Sequence, residues 1–309
     1  MKLLSTPHPD TVKAETHSAQ LSLLVDMDQP DSVFREVQTL VLMLNPESDL
    51  KILKILFADI LKLFGGQYPG YQACNTGYHN LKHTTDTTLA MARLMHGSQV
   101  RGFPLHSNDV VPGLMAALFH DVGYIQEKND TVGTGAKLAA VHIQRGIHFM
   151  VAYLQGKGYS WRNIQRIKKA IQCTDLGRNV SSIRFENEID ERIGKMLAAA
   201  DLLAQTADRT YLEKLPLLLG ELKEAGVNDF DTEIDFFMAS LDFNHNMAQR
   251  LENDLSGVHR FSSDHFNARW HLNKDMYQES IDNSMRYLAS FIRRDGRNYA
   301  AYLRRRVGR

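Results

Sequence analysis

The sequence predicts an all-α protein that folds as a compact multi-helix bundle. Apolar residues recur three and four positions apart over most of the 309 residues, and strict apolar-polar alternation is rare. Only 8 prolines are present, so positions that break helices are few. Since 43% of the residues are hydrophobic, a chain of this length can bury a large core.

The apolar periodicity also places the helices along the chain. Ser48 and Ser160 precede two of them, where a hydroxyl can accept a hydrogen bond from an unpaired first-turn amide, and Gly65 is expected to end the first of the two. The predicted helices cover residues 32–44, 48–64, 79–97, 108–121, 134–156, 160–174, 186–207, 210–225, 230–253 and 264–292.

We divide the chain into a main domain at residues 31–225 and two flanking regions. Residues 1–30 are polar and weakly patterned, and the sequence leaves open whether they form an ordered cap or a loose arm. Residues 226–309 are expected to add helices to the same core and to end in a basic tail. Aromatic stripes within 210–292 are expected to be core, with a substrate pocket or the seam of a homo-oligomer as alternatives.

Charge and composition exclude several functional classes. Lys and Arg number 36, as do Asp and Glu, so no overall field attracts nucleic acid or an anionic membrane. Cys74 and Cys173 are far apart, which argues against a disulfide framework and a structural zinc site. No signal peptide is evident, and no apolar run of about 18 residues could span a bilayer. We therefore expect a soluble cytoplasmic protein without a membrane partner.

The arginine-rich tail RRDGRNYAAYLRRRVGR could bind the phosphates of a nucleic acid. The neutral charge balance and the helical pattern of YAAYLRRR favour a solvated last helix or an oligomer contact instead. Nucleic acid is therefore not the partner that we expect.

Three sequence features carry histidines or carboxylates that could bind a metal. His120 and Asp121 follow GLMAALF, and Asp201 lies within KMLAAADLLAQTA. A buried carboxylate must be paired or must bind a metal. Taken alone, however, His120 and Asp121 suit an exposed helix end, and Asp201 suits a buried salt bridge. His79 and His83 are four residues apart and should share one helix face. They could also be a surface pair, but the whole set suits a divalent cation.

Four motifs in this order resemble those of the 3',5'-cyclic-nucleotide phosphodiesterases and the wider HD superfamily. YHNLKHTTD at 78–86 is similar to YHNxxHxxD, and LFHDVG at 118–123 contains the dipeptide that names the superfamily. IQCTDL at 171–176 is similar to the family's ATDM segment, and ADL at 200–202 matches its ADL segment. The resemblance spans about residues 75–210.

The resemblance implies a metal-dependent phosphohydrolase with an HD-domain fold. Its substrate would be a small-molecule phosphate ester, a nucleotide or cyclic-nucleotide phosphodiester. His79 would be the general acid, and hydroxide generated by one or two divalent ions of iron, manganese, zinc or magnesium would attack phosphorus. Asp121 would bridge both ions. The first ion's ligands would be His83, His120, Asp121 and Asp201.

Asp86 or Asp175 is expected to orient a ligand histidine as a hydrogen-bond acceptor. His142 in KLAAVHIQRG could match a family histidine, with a packed or surface histidine as the alternative. Lys82 and Arg145 could bind phosphate, although a solvated helix face is the favoured interpretation for both.

The sequence also departs from the family pattern. VGYIQEKND stands where the phosphodiesterases continue HDxxHPG, and the glutamine and phenylalanine that clamp the purine have no C-terminal match. The alternative hypothesis is a catalytically weak HD domain that acts as a nucleotide-binding sensor or an interaction module.

Overall fold

The computed structural model describes residues 20–227, 230–295 and 303. Within these residues the protein is all-helical, which confirms the predicted fold class. The extended pairings there are two isolated antiparallel bridges, Gly65 with Ala73 and Tyr71 with Glu127. None of the described helices is long and apolar enough to cross a membrane.

Twelve α-helices follow one another along the described chain. They are α1 (Leu21–Leu24), α2 (Pro30–Leu44), α3 (Lys51–Phe64), α4 (Leu81–Val100), α5 (Ser107–Phe119), α6 (His142–Gly156), α7 (Trp161–Gln172), α8 (Glu188–Thr206), α9 (Tyr211–Glu224), α10 (Glu233–Glu252), α11 (Phe261–Trp270) and α12 (Met276–Asp295). Short 3₁₀ turns lie at Val122–Tyr124, Gly135–Leu138, Val180–Ser182 and Val258–Arg260.

Helix α4 is the centre of the bundle and is buried from His83 to Ser98. It packs against α2, α5, α8 and α11. Gly97 permits the close approach of α11, because a Cβ there would lie 1.7 Å from the Phe261 carbonyl oxygen. The start of α4 is held by Asn80, whose side chain accepts a hydrogen bond from the His83 amide at 3.2 Å.

A second, smaller core lies where α9, α10 and α12 meet. It contains Tyr211, Leu215, Phe237 and Phe291, all almost completely buried. The expectation that the aromatic stripes of 210–292 are core is therefore confirmed for these positions.

Two predicted helices are each interrupted in the structure. The prediction at 264–292 is wrong at His271, which adopts a left-handed conformation (φ 56°) and ends α11; Asp275 then accepts hydrogen bonds from the first amides of α12. The prediction at 134–156 is wrong at its start, where a 3₁₀ turn capped by Thr134 precedes α6. Apolar spacing alone does not reveal these breaks, because it is the same on both sides of them.

The two predicted serine caps have different outcomes. Ser160 accepts a hydrogen bond from the Asn163 amide at 3.3 Å, as expected. Ser48 does not cap α3, because its hydroxyl pairs with that of Ser107 and the Asp49 carboxylate takes the Lys51 amide instead. Predictions for residues 1–19, and for nearly all of the basic tail, lie outside the described residues.

Candidate metal centre

Three helices bring four of the predicted ligands together in the interior. His83 lies in the first turn of α4, His120 and Asp121 directly follow α5, and Asp201 lies in the middle of α8. The first three are at most 6% exposed, and the Asp201 side chain is 19% exposed. One ligand atom each from His83, His120 and Asp121 lies within 4.8 Å of the others.

The distances between these groups suit a shared ion. His83 Nε2 lies 3.0 Å from Asp201 Oδ1, 3.3 Å from His120 Nε2 and 3.4 Å from Asp121 Oδ2. Neighbouring ligand atoms around an ion with bonds of about 2.1 Å are separated by roughly 3.0–3.4 Å. His120 Nε2 and Asp201 Oδ1 are somewhat farther apart, at 3.7 Å.

Hydrogen bonding leaves lone pairs facing one another in the cluster. His120 Nδ1 donates to the Ala117 carbonyl at 2.8 Å, so in the neutral ring Nε2 is an acceptor. It lies 3.2 Å from Asp121 Oδ2, a buried atom that accepts no well-oriented hydrogen bond from any described group. Such an arrangement requires a cation between the groups, either protons or a metal ion.

The pKa values of His120 and Asp121 also indicate that the cluster favours bound positive charge. Burial lowers the pKa of His120, but the Asp121 and Asp201 carboxylates outweigh it and raise that pKa to about 9. Burial raises the pKa of Asp121, yet His120, His79 and His83 together hold it well below its usual range. Without a metal the cluster therefore retains protons, which metal binding would release.

His79 lies beside this cluster. It was predicted to lie within a helix, but α4 begins at Leu81, two residues after it. Its Nδ1 lies 2.6 Å from Oε2 of Glu221, whose Oε1 accepts a hydrogen bond from the Tyr78 amide at 2.6 Å. Burial lowers the pKa of His79, but the hydrogen bond to Glu221 and the nearby carboxylates raise it above its ordinary value.

Tyr124 forms a three-ring stack with His79 and His142. Its ring centroid is 4.4 Å from each imidazole, with interplanar angles of 12° and 21°. His142 Nδ1 donates to the Ala139 carbonyl at 2.5 Å, which leaves Nε2 facing Asp121 Oδ1 at 3.8 Å. Gly123 allows this approach, because a Cβ there would lie 1.8 Å from the His142 carbonyl oxygen.

The expectation that Asp86 or Asp175 orients a ligand histidine is wrong for the described contacts. Asp86 Oδ2 is held by Lys82 at 2.7 Å, and its Oδ1 has no hydrogen-bond partner. Asp175 is on an exposed loop, where it accepts from the Gly177 amide. The orienting acceptor of His120 is instead the Ala117 carbonyl, which sequence patterns cannot identify.

Lys82 and Arg145 do not lie on solvated helix faces. Arg145 donates hydrogen bonds to the carbonyls of Gly123 and Ile125, and these bonds stabilise the turn that follows Asp121. Lys82 is engaged by Asp86 and by the Met27 carbonyl.

Sequence reasoning missed Glu221, the partner of His79. It is one of several glutamates and lysines in an amphipathic helix, and only the docking of α9 near the start of α4 distinguishes it. Tyr124 was also missed, because nothing in the local sequence indicates that its ring stacks between two imidazoles.

A family model described as Npun_R2479-like matches residues 128–249, less than half of the chain. The match includes His142, Asp201 and Glu221 and begins after His120 and Asp121. No curated protein matches the chain.

Proposed function

We propose that the protein is a metal-dependent phosphohydrolase. The substrate class is a phosphate ester, with a nucleotide or cyclic-nucleotide phosphodiester favoured by the sequence resemblance. The observation that best supports the proposal is the convergence of His83, His120, Asp121 and Asp201, from three separate parts of the bundle, around a space that suits one ion.

The residues present fit a metal ion. Two imidazole nitrogens and two carboxylates form a ligand set suited to iron, manganese or zinc. The orphaned Asp121 Oδ2 provides an unused acceptor at the centre of the cluster. Asp121 Oδ1 lies 3.8 Å from His142 Nε2, so the same carboxylate could contact a second ion held with His142.

A bound divalent ion would supply positive charge for the phosphate and would acidify a water molecule. The protein's own residues would manage the remaining proton transfer. Glu221 occupies Nδ1 of His79, which leaves Nε2 to deliver a proton to the leaving alkoxide. Glu221 and the nearby carboxylates raise the pKa of His79, which increases the protonated fraction of the ring at a given pH, and stacking on Tyr124 fixes the ring plane.

Metal content and hydrolysis measured on the same preparations test the proposal. Protein purified without chelator should contain about one or two equivalents of a transition metal. It should hydrolyse at least one member of a panel of nucleotides, cyclic nucleotides and generic phosphodiesters. His83→Ala should lose metal and activity together, whereas His148→Ala, at an exposed histidine of α6, should retain both.

Two outcomes would contradict this function. Stoichiometric metal without hydrolysis of any panel member would favour the nucleotide-binding sensor. Full metal content in His83→Ala, with the fold intact, would show that the histidine cluster is a structural network.

A further inference from the structure

The backbone carbonyl of His79 takes its hydrogen bonds from a loop and not from helix α4. In a helix that included His79, this carbonyl would accept from the amide of His83, four residues later. That amide donates instead to the side chain of Asn80, which caps α4. The donors that reach the carbonyl are the side chains of Thr76 and Cys74, in the loop before the helix.

Thr76 makes the shorter of these two contacts. Its Oγ1 lies 2.5 Å from the His79 carbonyl oxygen, and its side chain is buried. A hydroxyl has one hydrogen and a carbonyl oxygen can only accept, so Thr76 is the donor. Cys74 Sγ lies 3.1 Å from the same hydroxyl oxygen and therefore donates to it. Burial raises the pKa of the Cys74 thiol, which keeps the proton on sulfur for this bond.

The loop that carries Thr76 is fixed against the 3₁₀ turn that begins at Gly135. Asn75 Oδ1 accepts a hydrogen bond from the Gly135 amide at 2.9 Å. A Cβ at Gly135 would lie 3.3 Å from Thr76 Cγ2 and 2.0 Å from the Tyr124 carbonyl oxygen, so glycine permits a close approach to both. The turn thereby joins the loop to Tyr124, whose ring stacks on His79.

The position of His79 thus depends on contacts to both its ring and its backbone. Glu221 contacts Nδ1 and Tyr124 covers a face of the ring, whereas Thr76 holds the carbonyl. Removing the Thr76 hydroxyl would leave that carbonyl without its nearest donor, which favours a shift of the backbone towards another partner. Such a shift would weaken the bond to Glu221, because hydrogen bonds depend steeply on distance and angle.

We propose that Thr76 is a positioning residue for His79. Its hydroxyl fixes the backbone so that Nδ1 meets Glu221 and Nε2 remains available to a substrate. Thr76 makes no described hydrogen bond to any of the four metal ligands, so it acts through His79. The catalytic consequence rests on the proposed function, whereas the positioning is a property of the folded chain.

Proton NMR of the full chain tests the positioning without requiring activity. An imidazole proton that is hydrogen-bonded to a carboxylate exchanges slowly and resonates far downfield, and its loss in His79→Ala assigns it. The spectra are recorded with zinc, which is diamagnetic. Thr76→Val keeps the shape of the side chain but removes the hydroxyl, so the resonance should broaden or disappear. It should persist in Thr76→Ser, which keeps the hydroxyl.

Thr206→Val is the matched control and should also retain the resonance. Thr206 is buried and donates to a backbone carbonyl, that of Leu202 at 2.7 Å, but its hydroxyl faces Met247 of α10.

Activity gives a second readout. Thr76→Val should retain metal and should cleave an alkyl phosphodiester about tenfold or more slowly, because a misplaced group transfers its proton poorly. Cleavage of a nitrophenyl phosphodiester, whose leaving group departs without protonation, should be nearly unchanged. Thr76→Ser should restore the rate on the alkyl substrate.

The proposal is overturned if folded Thr76→Val keeps the His79 resonance, or if it slows both substrates equally. It is also overturned if Thr76→Ser loses the resonance, or if the wild type has none. If Thr76→Val does not fold, Thr76→Ala takes its place in both assays. If the wild type hydrolyses neither substrate, the proposed function fails, and the resonance alone decides the positioning.

Discussion

Replacing Glu221 by glutamine tests whether His79 delivers a proton. The carboxylate contacts His79 Nδ1 and the Tyr78 amide, both at 2.6 Å. Glutamine keeps the shape and one acceptor oxygen but removes the negative charge. Since the hydrogen bond to Glu221 is the largest contribution that raises the pKa of His79, the pKa should fall and the protonated acid should become scarcer.

The expected loss follows from the strength of that contact. A hydrogen bond to a charged group contributes about 1.5–3 kcal/mol, and each 1.36 kcal/mol in the barrier corresponds to about tenfold in rate. Glu221→Gln should therefore slow cleavage of a substrate with a poor alkoxide leaving group by roughly ten- to a hundredfold. His79→Ala removes the donor and should cost about a hundredfold or more.

The assay compares an alkyl phosphodiester with a nitrophenyl phosphodiester at fixed metal content. Nitrophenolate departs without protonation, so both variants should be much less impaired on it. Elemental analysis should show that both retain metal. Glu224→Gln is the matched control, because this glutamate lies on the same helix and contacts Thr134 instead of His79.

Equal loss on both substrates, with metal retained, would refute the reasoning. His79 would then position the phosphate or the water, and its assignment as the acid would have to be withdrawn. A Glu221→Gln variant that loses its metal would also contradict the reasoning, because the Glu221–His79 pair would then be needed for metal binding.

Asp201→Ala should lose metal, and normal occupancy with an intact fold would remove Asp201 from the ligand set. Gly123→Ala should lower the free energy of unfolding by about 1–3 kcal/mol, because the added Cβ meets the His142 carbonyl oxygen. Urea denaturation measures this change, and a value below about 0.5 kcal/mol would contradict the prediction. Burial, Arg93 and His96 lower the pKa of His265 well below 6.5, so the folded protein excludes a proton that the unfolded chain binds. Stability should fall as the pH drops below about 6.5, and His265→Gln should reduce that slope by up to about 1.4 kcal/mol per pH unit; identical slopes at pH 5–7 would refute the assignment.

The sequence alone determined the fold class, because helical periodicity is a local property of the chain. It also drew attention to His120, Asp121 and Asp201, since charged groups in apolar segments need compensation wherever those segments pack. His83 was assigned as a ligand only through the resemblance to the phosphodiesterase motifs.

Only the tertiary structure decided which groups meet. It paired His79 with Glu221, 142 positions away, and placed Tyr124 between two imidazoles. It also paired Asp86 with Lys82 and placed it in the wall of a cavity that the proposed metal ligands do not line. The physical reason is that the apolar periodicity of a segment indicates only which helix face is buried. Which side chain a given residue contacts depends on how helices that are distant in the sequence pack together.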